Sequence, residues 1–365
     1  MLFYAPFLAF FVVFHCGLAA RIQGNLDIYA SKRLIQTGPS DKKWLTKNDI
    51  FNLSRSGTKF RDITDIDSSL ISLRQKQLHI PDQPSLQQAI KPLFTNISDA
   101  LPRRVLEGMA KFHNRFFNSR NGRESSLWLQ QQITSVVAGI GGVEVVPFVH
   151  SFPQNSIITK IPGRSDETVI LSAHLDSINK FDPEHGSAPG IDDDGTGVVV
   201  LMEVMRILAS SQLKLNRTIE FHFYAGEEVG LLGSADIAHM YAKAMRPVVV
   251  DLQLDMTGFP TSPPVVGILT DNTDPGSTSL LRQIVSEYTD LKTQDFSCGY
   301  ACSDHASWFE AGYRAVLPGE SPLVTGNPHM HTSSDDISTV SFQHLLHYVN
   351  IALAFAVEVA GVTGS

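Results

Sequence analysis

The stretch 169–197, VILSAHLDSINKFDPEHGSAPGIDDDGTG, constrains the fold of this chain more than any other. An apolar run, Val169-Ile170-Leu171, whose first two residues are β-branched, ends abruptly in His174-Leu175-Asp176. A polar loop with glycine and proline follows. It closes on Asp192-Asp193-Asp194 and Gly195-Thr196-Gly197, and an apolar, helix-like segment begins there. A buried strand that delivers side chains at its C-terminal end is how open α/β sheets present ligands. Imidazole beside carboxylate is a donor set for zinc rather than calcium, because nitrogen ligands suit the softer ion.

The rest of the chain carries the same alternation. Helical spacing of apolar residues covers 101–117 and 125–137, and strands are expected over 143–149, 156–161 and 167–173. A helix apolar on most faces spans 197–208 and an alternating strand 218–224, and 227–245 opens with turn residues and continues as a helix. Strands at 248–254 and 265–269, a helix at 278–288, a short strand at 314–317 and a long helix at 342–359 complete the pattern. Together these predict an α/β three-layer sandwich, with a mixed, mainly parallel central sheet flanked by helices.

The ends narrow the setting. Residues 1–20 hold no charged side chain and finish in Ala19-Ala20. They read as a secretory signal peptide; the alternative is a membrane anchor, for which the apolar run is short. Of three cysteines, Cys16 would leave with that signal. Cys298 and Cys302 then remain as a pair in an oxidising compartment, which favours a disulfide over a metal site. Asn52, Asn96 and Asn216 sit in Asn-x-Ser/Thr sequons and are candidate glycosylation sites. Residues 21–90 carry 11 basic and 7 acidic side chains, net +4, whereas residues 91–365 carry 18 and 30, net −12. A polar, poorly periodic, basic segment ahead of an acidic domain predicts a prosegment over 21–82, with a linker at Pro81-Asp82-Gln83-Pro84 and a catalytic domain over 83–365. A solvated extension is the plainer alternative. The overall charge of −8 gives a nucleic-acid partner no electrostatic support, and no membrane partner is expected.

Five places put histidine or carboxylate after an apolar run or in a loop: His174 with Asp176, Asp192 to Asp194, Glu227 with Glu228, Asp255, and His331. Each has an ordinary explanation alone. Three aspartates before Gly-Thr-Gly favour a helix start, and paired glutamates a solvated one. Asp255 is harder to place, because a carboxylate against an apolar strand needs a partner. Taken together, parallel strand ends would converge these groups at one sheet edge. Several carboxylates there would repel unless cations lay between them, and two divalent ions sharing one carboxylate resolve that conflict.

The motifs AHLDS (173–177), APGIDDDGTG (188–197), YAGEEVGLLGS (224–234), LQLDMT (252–257), CGYACSDHASW (298–308) and NPHMHT (327–332) resemble, in this order, those of the secreted two-zinc leucyl-type aminopeptidases of bacteria and fungi. The resemblance runs from about Gln83 to the C-terminus. It implies a zinc-peptidase fold and two Zn2+ per chain, one held by His174 and Asp255, the other by Glu228 and His331, with Asp193 bridging. It implies that Asp176 orients His174, that Glu227 is the general base, and that Tyr300 hydrogen-bonds the developing oxyanion. Cys298 and Cys302 match the family disulfide. Met256, Leu269 and Leu323 would line the side-chain pocket. There Gly319-Glu320-Ser321-Pro322-Leu323 stands where the best-known bacterial members have bulky aromatics. The implied enzyme is a secreted, extracellular monomer that acts on peptides with a free N-terminus, by default after apolar residues such as Leu. A glutaminyl cyclase or a carboxypeptidase of the same fold, or a non-catalytic binding protein, are the alternatives. The sequence holds no Gly-x-Ser-x-Gly and no His-Glu-x-x-His.

Overall fold

A computed structural model describes residues 28–66, 77–320 and 326–363. The predicted signal peptide and Leu323 lie outside them.

The first described segment is folded, although its sequence is polar and weakly periodic. Strands β1 (Arg33–Gly38) and β2 (Asp41–Leu45) form a hairpin. Helix α1 (Lys47–Arg55) follows, and β3 (Arg61–Asp62) pairs with the other edge of β1. A capping box starts α1: the Asp49 N–H donates to the Thr46 hydroxyl, and the Thr46 N–H donates to the Asp49 carboxylate. Few residues in this unit repeat at one period, because its strands are short and only Ile35, Ile50, Phe51, Phe60 and Tyr29 are buried apolar side chains.

The body runs through α2 (Gln87–Ile90), α3 (Ala100–Met109), α4 (Arg120–Val136), β4 (Glu144–Phe148), β5 (Ser156–Ile161), β6 (Ser165–His174), α5 (Gly197–Ser210), β7 (Arg217–Tyr224), α6 (Leu232–Lys243), β8 (Val248–Gln253), β9 (Val265–Leu269), α7 (Pro275–Tyr288), β10 (Lys292–Phe296), α8 (His305–Glu310), β11 (Ala315–Val316), β12 (Pro318–Gly319) and α9 (Phe342–Ala360). The central sheet has the order β11-β8-β6-β7-β5-β4. Its first four strands are mutually parallel, and β5 and β4 are antiparallel to their neighbours. A smaller sheet, β10-β9-β12, stands beside it.

Strand β6 is apolar on both faces, as a strand covered on both sides must be. Val169, Leu171 and Ala173 join the core under α5 and α9, while Ile170 meets Tyr224, Tyr241 and Trp308 under α6 and α8. Each fully buried aliphatic side chain contributes roughly 1.5–3 kcal/mol, so this three-layer core dominates the stability of the body.

One helix differs from expectation. The helix expected over 101–117 ends at Met109. Beyond it the chain turns to bury Arg115, whose guanidinium donates to the carbonyls of Leu175, Pro189 and Gly190. The segment 227–245 opens on a turn, as expected, through Gly230 (φ 111°) and Leu231 (φ 63°), and its helix begins at Leu232. Strand β10 and helix α8 have no counterpart among the expected elements.

Residues 77–86, which include the stretch 81–84 read as a linker, lie fastened along the body. Both Glu358 oxygens accept from the Ser85 N–H at 2.9 and 3.0 Å, and one also accepts from Leu86. Arg314 donates to the Leu78 carbonyl, Arg217 to that of His79 and Gln283 to that of Asp82. No helix among the described residues is long and apolar enough to cross a membrane. Asn52, Asn96 and Asn216 are all exposed.

Candidate metal centre

Three adjacent parallel strands end at one edge and deliver the acidic and imidazole groups there. β6 ends in His174, β7 leads into Ala225-Gly226-Glu227-Glu228, and β8 leads into Leu254-Asp255. The loop carrying His331 comes from further along the chain and is tied in by buried acids. Asp335 accepts from the backbone N–H groups of Asp192 and Asp193, Asp192 accepts from the Asn327 amide at 2.9 Å, and the Lys180 N–H donates to the His331 carbonyl.

Asp193 lies at the middle. One of its oxygens is 3.0 Å from His174 Nε2 and the other is 2.9 Å from His331 Nε2. His174 Nε2 is also 3.7 Å from Asp255, and His331 Nε2 is 2.8 Å from Glu228. The result is two imidazole–carboxylate groups sharing one aspartate. Asp194 also comes within reach of His174 and Asp255. Its carboxylate is committed to the backbone, accepting N–H groups from His174, Gly197 and Met256 at 3.0–3.1 Å. It joins the ends of β6 and β8 to the start of α5.

Asp176 faces His174 Nδ1 at 3.6 Å and also accepts the backbone N–H groups of Glu227 and Glu228 at 3.0 and 3.2 Å. It therefore fixes the backbone of the glutamate loop while lying beside the imidazole. Met256, Leu231 and His331 are non-glycine residues with φ of 58–63°, and all three line the cleft beside this cluster. Backbone strain of this kind persists where surrounding structure enforces it, and it concentrates at functional sites.

The electrostatics favour cations. Burial pushes Glu227 well above the usual carboxylate range and Glu228 up to about 7, and neighbouring carboxylates push in the same direction. Burial also works against charge on His174 and His331. The surrounding carboxylates outweigh it, and both histidines are raised, His331 to about 10. So many buried acids ionise together only when positive charge lies among them. The donor set fits zinc: imidazole nitrogens and carboxylate oxygens converge, and the buried Glu228 Oε1 and Asp255 Oδ1 have no hydrogen-bond partner.

The other expected site residues divide. Met256 lines the cleft, together with Ala301, Cys302 and Met330. Leu269 lies beneath it, packed with Phe296, Cys302 and Leu317. Cys298 and Cys302 form a disulfide, and the Asp271 carboxylate steadies that loop by accepting from Ser297, Cys298 and Gly299. Tyr300 packs against Leu231, Ala301 and Ala306, and its hydroxyl lies near the Arg61 side chain of β3.

Sequence reading missed Arg115 and Asp335, which carry no motif; burial alone marks them. It also missed the far wall of the cleft. Ser54, Gly57, Thr58, Lys59 and Phe60 of the N-terminal unit border the same space as Asp193, Glu227, Glu228, Asp255 and His331. Arg61 forms a buried ion pair with Glu310 of α8, and the Asp62 N–H donates to the Gly230 carbonyl at 3.0 Å. A Cβ on Gly230 would stand 2.6 Å from the Asp62 nitrogen, so this close approach needs glycine.

Comparison with known proteins agrees with this geometry. Residues 156–356 match the Peptidase family M28 model. Leucine aminopeptidase 1 of Grosmannia clavigera is 40% identical over 91% of this chain and 86% of its own length. Leucine aminopeptidase 1 of Sclerotinia sclerotiorum is 40% identical over 90% and 88%. The crystal structure of the Legionella pneumophila LapA aminopeptidase superposes with a TM-score of 0.77 at 26% identity, covering 87% of this chain and 90% of that one. With the fold, the converging ligand groups and these similarities in place, the chain belongs to peptidase family M28 and is a zinc-dependent aminopeptidase.

Proposed function

We propose that this is a secreted aminopeptidase that uses two zinc ions to remove N-terminal residues from peptides, with apolar residues such as leucine preferred. The observation that carries the two-ion reading is the position of Asp193 between His174 and His331, each with its own second carboxylate. His174, Asp193 and Asp255 would hold one ion, and Asp193, Glu228 and His331 the other. Zinc bound there supplies Lewis acidity that activates water near neutral pH.

The chain's own residues do the rest. Glu227 has its backbone fixed by Asp176 and borders the cleft, so its carboxylate is placed to take the proton from the attacking water and return it to the leaving amine. The acidic groups around Asp255 suit a free α-amine, which would confine cleavage to the first peptide bond. Met256, Leu231 and Met330 offer apolar walls for the side chain. Tyr300 is the proposed oxyanion donor, and its hydroxyl lies near Arg61 of the N-terminal unit. A panel of aminoacyl-anilides tests preference. Acetylation of the substrate amine should abolish turnover, and equal cleavage of the acetylated substrate would refute the exopeptidase reading.

We further propose that residues 28–66 mask the site as part of a prosegment. The support is the wall they form over the cleft and the nearness of Arg61 to Tyr300. The fastening of residues 77–86 to Glu358, Arg314 and Arg217 favours a cut before Gln77 rather than at residue 82. N-terminal sequencing of the mature protein tests the boundary; a fully active product that begins near Arg21 would refute masking. Secretion is supported by the uncharged, apolar N-terminus and the disulfide. A monomeric state is tested by sedimentation.

A further inference from the structure

A chain of buried hydrogen bonds outside the metal centre ends on the loop that carries Glu227. The Ala225 N–H donates to Ser156 Oγ at 3.0 Å. Ser156 Oγ lies 2.7 Å from His150 Nε2, and His150 Nδ1 lies 2.8 Å from Asp236 on α6. Ser156 is fully buried and the His150 side chain is enclosed, with its ring stacked on Phe152 at 4.7 Å. Only Asp236 reaches solvent, with 42% of its side chain exposed.

One arrangement of protons satisfies every group. His150 Nδ1–H donates to Asp236, the Ser156 hydroxyl donates to His150 Nε2, and the Ala225 amide donates to the Ser156 oxygen. The order Asp-His-Ser has the look of a nucleophile triad. Ser156 is closed to substrate, however, and the backbone N–H of Ala225 occupies its oxygen, so attack on a carbonyl has no route.

What the chain does reach is the backbone of the general-base loop. Two residues beyond Ala225 is Glu227, with Gly226 (φ 70°) between them. From the other side Asp176 holds the N–H groups of Glu227 and Glu228. The Gly233 N–H donates to the Ala225 carbonyl, which ties the same residue to the start of α6. The loop is thus held at one end by the metal centre and at the other by Ser156.

We propose that Ser156, His150 and Asp236 are positioning residues for Glu227: they fix Ala225 and thereby aim the carboxylate that moves the proton. This rests on the general-base reading of Glu227. A misplacement of about 1 Å can lower a rate by ~10²-fold, so a fixed loop end matters for turnover more than for binding.

The test uses the active protein purified from culture. Ser156→Ala should lower kcat by about 10-fold, the low end of what supports of a catalytic group contribute, with KM within about twofold of wild type and with normal zinc content and Tm. Asp236 is partly exposed, so its variants keep the fold if Ser156→Ala does not. Asp236→Ala should lower kcat by a few-fold, and Asp236→Asn, which keeps an acceptor for His150 Nδ1–H, should recover it. Unchanged kcat in both alanine variants would overturn the inference. So would losses in which kcat, KM and Tm fall together and Asp236→Asn gives no recovery, since that is what a purely structural role produces. Glu227→Gln, assayed in parallel, separates the two readings. If it keeps wild-type kcat, the general-base reading fails and this inference fails with it. If it loses turnover while the alanine variants do not, only the positioning role is refuted.

Discussion

In the body, β6, β7 and β8 are covered on both faces, and their apolar residues meet α5 and α9 on one side and α6 and α8 on the other. Residues 28–66 are arranged differently. Their buried side chains, Tyr29, Ile35, Ile50, Phe51 and Phe60, pack into one cluster with Phe116, Phe117, Phe152, Ile178, Val229 and Leu232 of the body. Tyr29 and Phe51 meet each other edge to face, and they meet Phe117 and Phe116 in the same way. The body builds a core of its own, and the unit completes its core on the body's surface. A segment of that kind is ordered by docking. Its docking face lies beside Glu227 and Glu228, so the proposed masking of the site would draw on the same contacts that hold the unit.

The largest expected effect tests the body's side of this comparison. Exhaustive chelation should abolish hydrolysis, and zinc should restore it at close to two ions per chain. Full activity without metal would refute the reading of the centre.

Next in size is the separation of the two glutamates. Glu227→Gln should keep its zinc and lose about 10²–10⁴-fold, mainly in kcat, because ground-state binding needs no proton transfer. Glu228→Ala should lose zinc and activity together. Near-normal kinetics in both variants would assign the pair to the surface.

A third prediction concerns the shared cluster. Phe117→Ala should destabilise the intact chain by about 3–5 kcal/mol, the usual range for a buried aromatic. The loss should be smaller once residues 28–66 are gone, because one side of the ring is then open to water. Equal losses, read by denaturant melts of the two forms, would show that the unit does not draw on the body's core.

The smallest effect lies inside the unit. Thr46→Ala removes the cap of α1 and should weaken that helix by about 1 kcal/mol. Hydrogen exchange should speed up over residues 47–55 and stay unchanged in β6 and α5. Uniform loosening of the whole chain would argue for a single cooperative body.

Much of the body was legible in sequence. The apolar run at 169–171, the alternation at 218–224 and the long apolar segments at 197–208 and 342–359 carry periods that solvent exclusion imposes locally. The convergence of the residues proposed as ligands was legible for a related reason: parallel strands must end at one edge, so groups placed after three such strands converge. Where expectation missed, local pattern was outweighed by tertiary contact. Apolar spacing continued past Met109, yet the chain turns there to place Arg115 over the carbonyls of Leu175 and Gly190. The turn residues that open 227–245 were legible, but only the folded chain shows that this turn brings Glu227 and Glu228 onto Asp176.

The sequence by itself determined the α/β alternation, the edge at which the ligands gather and the residue types that gather there. These follow from burial period and donor chemistry, both of which are written residue by residue. Only the tertiary structure decided that Asp193 stands between two histidines while Asp194, its neighbour, accepts three backbone N–H groups. Only the tertiary structure placed Phe60 at the far wall of the cleft and Arg61 against Glu310. Adjacent aspartates are chemically alike, and a short polar strand carries no period. What distinguishes them is which distant groups the folded chain brings within about 3 Å, the reach of a hydrogen bond.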